Sequence, residues 1–207
     1  MRLFFFSTYI SLYSLNLCFS QSIKLELSKK NKASTNIILM IADGAGLSQI
    51  TAALYENDNK LNLENFKVVG FQKTHAINSL ITDSAASGTA MACGIKTVNG
   101  AIGVDPENKP YESILKICEK KGYNSGMIVT SSIVHATPAS FYANVFSRAE
   151  YQEIAYQLSK SDVDFFIGGG EKHFIKRNDK KNLINEMKEW DFVNNLDEFD
   201  SSTSKKV

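Results

Sequence analysis

Short apolar runs that end in Asp, Ser or Gly alternate along this chain with stretches patterned for helices. "NIILMIAD" (36–43) is the first run, and continuous apolar stretches of this length suit strands covered on both faces. "GAG" turns the chain, and "LSQITAALYEN" (47–57) reads as a helix. "FKVVGFQKTH" (66–75), "NSGMIVTSS" (124–132) and "VDFFIGGG" (163–170) read as further strands. Helices are predicted from Ser84, over "YESILKICEKKG" (111–122), over "AEYQEIAYQLSKS" (149–161) and over "KNLINEMKEW" (181–190). Between 98 and 110 the chain is a Gly-rich turn region. Alternation of this kind predicts an α/β fold with a parallel sheet. In open sheets of this class, ligands gather at the carboxyl ends of the strands. Asp43, the pair Asp83-Ser84, and His135 with Thr137 are therefore expected at one edge.

The first twenty residues have a different character. "MRLFFFSTYISLYSLNLCFS" carries one charge, Arg2, then an apolar stretch, and small residues at Cys18 and Ser20. This predicts a signal peptide over 1–20 cleaved before Gln21, and hence a secreted or periplasmic protein. An uncleaved membrane anchor is the alternative, although the run is short for a span. Residues 21–35 form an N-terminal extension. Removal of 1–20 lowers the basic count from 23 to 22 against 22 acidic residues. No basic face with interleaved aromatics appears, which argues against a nucleic-acid partner. Cys93 and Cys118 read as small buried hydrophobes, with a disulfide between them left open.

The stretch "TDSAASGTAMACGIKT" (82–97) carries the sharpest chemistry. The first backbone N–H groups of a helix lack internal partners, and with the helix dipole they favour an anion. Small residues from Ala85 to Ala90 leave room for one to approach. Taken singly, Asp83 or Ser84 reads equally as a helix cap. Asp43 reads as a turn residue or a cation ligand, Thr137 as a cap or a ligand, His135 as a hydrogen-bonded structural histidine, and Arg148 as a surface charge or a fork for phosphate oxygens. A serine hydroxyl needs activation to attack, and no histidine stands near Ser84 in sequence, so a metal is the expected activator.

The order "IADGAG", "TDSAASGTAMACGIKT", "HATPAS" and "SRAEY" resembles the N-terminal part of an alkaline phosphatase. Ser84 lies 51, 53 and 64 residues before His135, Thr137 and Arg148. These intervals fit the family's nucleophile, magnesium site and phosphate clamp, and "FIGGG" followed by "EKHF" is similar as well. The resemblance runs from about Asn36 to about Phe174. It implies an α/β, three-layer sandwich with a largely parallel central sheet flanked by helices, with 36–207 forming the N-terminal part of the catalytic domain. It also implies phosphate monoesters as substrates, two Zn2+ and one Mg2+ as cofactors, and a homodimer of the full-length protein. Asp43 would bridge a zinc and the magnesium, and Ser84 would be nucleophile and zinc ligand, forming a phosphoserine. Asp83 would orient Arg148, Arg148 would grip two phosphate oxygens, and Thr137 would ligate magnesium. His135 would stand behind that magnesium, or ligate it.

Against the family pattern, the chain holds only three histidines, His75, His135 and His173, and lacks the Asp-His and Asp-x-x-x-His spacings used for zinc. "DSSTSKKV" (200–207) reads as a polar tail without a closing strand or helix. The expectation is the N-terminal portion of a longer phosphatase, inactive alone for want of metal ligands. A sulfatase reading lacks the required C/S-x-P-x-R. A related phosphodiesterase and a non-catalytic secreted phosphate-binding or interaction module are the competing functions.

Overall fold

A computed structural model of the chain describes residues 36–204, 206 and 207. The expected signal peptide (1–20) and extension (21–35) lie outside the described residues. The chain divides into two compact units, Met1–Met40 and Ile41–Val207. Of the first, only 36–40 are described, and these carry no strand.

The second unit is built in the order α1 (Leu47–Glu56), a 3-10 turn (Asn62–Asn65), α2 (Ser84–Cys93), α3 (Ile114–Lys120), β1 (Gly126–Ser132), α4 (Ala136–Ala139), α5 (Tyr151–Ser159), β2 (Phe165–Gly169), α6 (Lys172–Ile175), α7 (Leu183–Glu186) and α8 (Leu196–Ser201). β1 and β2 are parallel, with Gly126 opposite Phe165 and Ile128 opposite Ile167, and the register breaks before Ser132 pairs with Gly169. The connection between them carries α4 and α5, the crossover that parallel pairing demands. Helices flank this sheet, which makes the fold α/β.

Two expected strands are not formed. Residues 36–42 and 66–75 are irregular, and no backbone ladder joins either run to a neighbour among the described residues. A strand is defined by its partner's hydrogen bonds, and apolar composition cannot replace them. Both runs stay open to solvent, with Ile38 85 % and Phe71 103 % exposed. The predicted helix over 181–190 is only the single turn α7, whose cap Asn182 accepts from the Asn185 N–H. The tail is more ordered than its composition suggests. α8 closes on Ser201, the Phe166 N–H donates to the Val207 carbonyl at 2.9 Å, and the Val207 N–H donates to Asp164 at 3.2 Å.

The core lies between β1, the segment 133–145 and α5. Ile133, Val134, Tyr142, Ile154 and Leu158 are buried. α5 meets it through Ile154, Ala155 and Leu158, spaced to fall on one helical face. Tyr142 keeps its hydroxyl satisfied by donating to the Ile133 carbonyl at 2.8 Å, and burial pushes its pKa well up. Ser113 caps α3 by accepting from the Lys116 N–H, but no side chain of α3 is fully buried. Cys93 and Cys118 are both free thiols.

One packing contact governs the site. α2 lies against α4, and a Cβ on Gly88 would come within 2.7 Å of Ser140 Oγ. Glycine is what lets the two helices approach. Gly103 has φ +63, and a Cβ there would sit 2.3 Å from the Ala143 carbonyl oxygen. Leu158→Ala is expected to lower unfolding free energy by about 2–5 kcal/mol, and Gly103→Ala by more than about 1 kcal/mol. Urea denaturation followed by circular dichroism measures both.

Candidate functional site

α2 begins where Asp83 turns the chain. Asp83 Oδ1 accepts from the Ala86 N–H at 2.9 Å, so Asp83 is the helix cap and Ser84 the first helical residue. At the other end Gly94 adopts φ +70 and stops the helix. Between them Ala85, Ala86, Gly88 and Thr89 are buried. The helix therefore opens beside Ser84 with little side-chain bulk.

Asp43 sits in the turn after 36–42 and not at a strand end, since that strand does not form. Gly44 (φ +69) and the Ala45 N–H to Ala42 carbonyl bond make the turn. The Asp43 carboxylate divides its two oxygens. Oδ1 accepts from Ser84 Oγ at 3.2 Å, and Oδ2 accepts from Thr137 Oγ1 at 2.7 Å. Residues 41 and 94 positions apart along the chain thus meet on one acid. Thr137 belongs to α4, which follows β1 directly, so the strand-end rule holds for Thr137 and His135.

Arg148 completes the group. Its segment runs antiparallel to 100–102: Ile102 and Val145 exchange two backbone bonds of 2.9 Å, and the Arg148 N–H donates to the Gly100 carbonyl at 2.7 Å. The guanidinium spans two partners. Nη1 donates to Asp83 Oδ2 at 2.9 Å, and Nη2 lies 3.2 Å from His135 Nε2. Guanidinium has no acceptor, so Nε2 accepts and the imidazole proton sits on Nδ1. His135 accordingly stands beside the arginine. From sequence it reads as a hydrogen-bonded histidine or as a group near the magnesium, with no arginine partner named.

Asp83 is held from several sides. Desolvation pushes its carboxyl pKa up, but hydrogen bonds from the Ala86 N–H, Arg148 and the Gly100 N–H, with the Arg148 charge, together hold it below 3.8. Its own N–H donates to Asn99 Oδ1 at 3.0 Å. Asn99 and Gly100 were not predicted as part of any site. Their only signal was the Asn-Gly pair, which reads as a turn.

The other histidines stand elsewhere. His75 Nε2 is 2.7 Å from Lys96 Nζ. His173 packs on the Tyr151 ring at 4.9 Å, and desolvation lowers its pKa, with Lys172 adding to the effect. Among the described residues no three His, Cys, Asp or Glu side chains gather as a metal cluster. A cavity of about 190 Å³ lies along α2 between Ala86 and Met91, but none of Asp43, Ser84, Thr137 or Arg148 lines it. We therefore weigh the hydrogen-bonded cluster above the cavity as the site. Among the described residues no helix is long and apolar enough to cross a membrane.

Chemically, the cluster offers one hydroxyl at a helix N-terminus, a forked cation paired to the helix cap, and two hydroxyls gathered on the Asp43 carboxylate. Asp43, Ser84 and Thr137 form a hard-oxygen donor set that suits a magnesium-like cation. Zinc accepts the same oxygens but ordinarily takes four ligands, more than these residues supply.

Residues 34–207 match the family described as alkaline phosphatase, past the Phe174 limit of the sequence resemblance. The repressible alkaline phosphatase of Saccharomyces cerevisiae is 34% identical over 212 residues, covering 89% of this chain and 37% of that protein. Alkaline phosphatase 4 of Bacillus subtilis is 36% identical over 185 residues, covering 82% and 40%. The solved alkaline phosphatase of the Antarctic bacterium TAB5 superposes with a TM-score of 0.74 at 40% identity, covering 79% of this chain and 49% of that one. A variant of that enzyme, TM-score 0.72, has Mg bound in its M3 site. The chain thus spans about two-fifths of the length of these curated relatives.

Because the Asp83 pKa is depressed on folding, its contribution to stability is present above the unfolded value and lost as pH falls through the folded value. Wild type should therefore lose its advantage over Asp83→Asn as pH drops below 3.8. Thermal unfolding in steps from pH about 6 to about 3 measures this. A gap between the two proteins that does not change with pH would contradict it.

Proposed function

This chain belongs to the alkaline phosphatase family, and from that premise we propose that its site serves hydrolysis of phosphate monoesters through a phosphoserine on Ser84. The carrying observation is the shared acid: Asp43 accepts from Ser84 and Thr137 at once, while Arg148 is held by the residue preceding Ser84. Asp43 aims the Ser84 hydroxyl. The α2 N-terminus and Arg148 present N–H donors to a tetrahedral anion, and Asp83 and His135 fix the plane of the guanidinium. Ser84 Oγ then attacks phosphorus in line, and the Oγ–P bond forms as the bond to the leaving oxygen breaks, the serine proton passing to solvent water and the leaving oxygen taking a proton from water. In the second half a water attacks the phosphoserine, releasing phosphate and restoring the hydroxyl.

Asp43 with Ser84 would hold one cation and Asp43 with Thr137 another, zinc and magnesium respectively. Cations bound there would lower the serine pKa and neutralise charge on the transferring group. The oxygen donors and the Mg-bound relative support a metal requirement, and both zincs would need further ligands from outside this cluster. Specificity is broad in this reading, because the clamp reads phosphate and little of the ester. Export through residues 1–20 and homodimerisation belong to the same proposal, the first supported by the signal pattern and the second by family likeness alone.

The 207-residue chain alone should hydrolyse p-nitrophenyl phosphate no faster than its Ser84→Ala variant. In any longer form that turns over, Ser84→Ala should cut kcat by about a thousandfold or more, and chelation of metal should do the same. Full turnover by Ser84→Ala would refute the phosphoserine, and equal phosphate binding without turnover in both proteins would favour the binding module.

A further inference from the structure

The turn 98–100 bonds to neither the Ser84 hydroxyl nor the Arg148 guanidinium, yet it fastens both arms of the clamp. The Asn99 amide straddles Thr82. Its Nδ2–H donates to the Ile81 carbonyl at 2.9 Å, and its Oδ1 accepts from the Asp83 N–H at 3.0 Å. One side chain thereby fixes the direction in which the chain enters α2. Gly100 does the corresponding work with its backbone. Its N–H donates to Asp83 Oδ2 at 3.1 Å, and its carbonyl accepts from the Arg148 N–H at 2.7 Å. The turn is itself anchored, because the Asn99 N–H donates to Asn78 Oδ1 at 2.9 Å. Asp83 and Arg148, 65 positions apart, are thus tied through one glycine as well as through their ion pair.

We propose that Asn99 and Gly100 are positioning residues of the phosphate clamp, setting how Arg148 and the α2 N-terminus face the bound anion. This rests on the reading of Arg148 and Ser84 as the phosphate site. The physical ground is that a preorganised donor array loses little on binding, whereas a displacement on the order of 1 Å costs orders of magnitude in rate. An amide at 99 is required because the two bonds need a donor and an acceptor on one short side chain. Glycine at 100 is required by backbone and not by space. Its φ is +91, a region that alanine resists, although a Cβ would meet nothing within 4 Å.

The chain contains three arginines, Arg2, Arg148 and Arg177, so side-chain nitrogen-15 NMR of the guanidinium groups resolves the question. Arg177 is an internal control for folding, since it donates to the Gln152 carbonyl and to Asp179 far from the turn in sequence. In the wild-type 207-residue chain, Arg148 should show separate, slowly exchanging Nη–H signals. Asn99→Ala should lose them while the Arg177 signals persist, and Gly100→Ala is measured in parallel. In whichever variant keeps the Arg177 signals, unchanged Arg148 signals overturn the proposal. Loss of both sets in both variants also overturns it, because the turn would then be serving general stability. Adding orthophosphate should shift the Arg148 signals of wild type, and Asn99→Ala should need about tenfold more phosphate for the same shift. An equal phosphate requirement would overturn the clamp role. If wild type itself gives no shift with phosphate in a metal-loaded longer form, the phosphatase reading fails, and the metal-free comparison still decides whether the turn positions Arg148.

Discussion

A single carboxylate, Asp83, organises this site. It caps α2, receives the Gly100 N–H and pairs with Arg148, while its own N–H is taken by Asn99. Removing a helix cap costs about 1 kcal/mol, but here more than helix stability is at stake. Oδ1 starts the helix while Oδ2 of the same carboxylate holds the guanidinium, so one side chain ties the helix N-terminus to the forked cation. The ion pair is only about a quarter exposed, which shields it from the screening that makes surface pairs weak.

The second organising acid, Asp43, acts by sharing. Its two oxygens take hydroxyls from different elements, and this is possible only because α2 and α4 pack closely. Gly88 supplies the missing side chain at that contact. The sequence "SAASG" therefore has two functions. Its small residues leave the helix mouth uncrowded, and its glycine permits the close α2–α4 packing that goes with Thr137 reaching the acid that also holds Ser84.

Much of this was legible from residue order. β1, β2, α1, α2 and α5 fall where period and punctuation put them, and hydrogen bonds join Asp43 to Ser84 and Thr137, and Arg148 to Asp83 and His135, although of these residues only His135 and Thr137 closely follow a formed strand. The misses have physical causes. Runs 36–43 and 66–75 have strand composition, but a strand also needs a partner, and local sequence does not carry that information. The tail 200–207 looked structureless because its order comes from Val207 bonding beside β2, a contact between residues distant in sequence. Asn99 and Gly100 were hidden for the same reason. An Asn-Gly pair announces a turn, but not that the turn holds the acid sixteen residues earlier. His135 was referred to a metal because the resemblance pointed there, and its contact with Arg148 depends on a rotamer that sequence does not encode.

The most direct test of the account is covalent. A metal-loaded form that turns over should be mixed with a phosphate monoester, quenched in acid and mapped by peptide mass spectrometry. The account predicts a phosphoryl group on the peptide bearing Ser84, absent from Ser84→Ala. A phosphoryl group on another residue, or turnover with no phosphopeptide at any quench time, would contradict it.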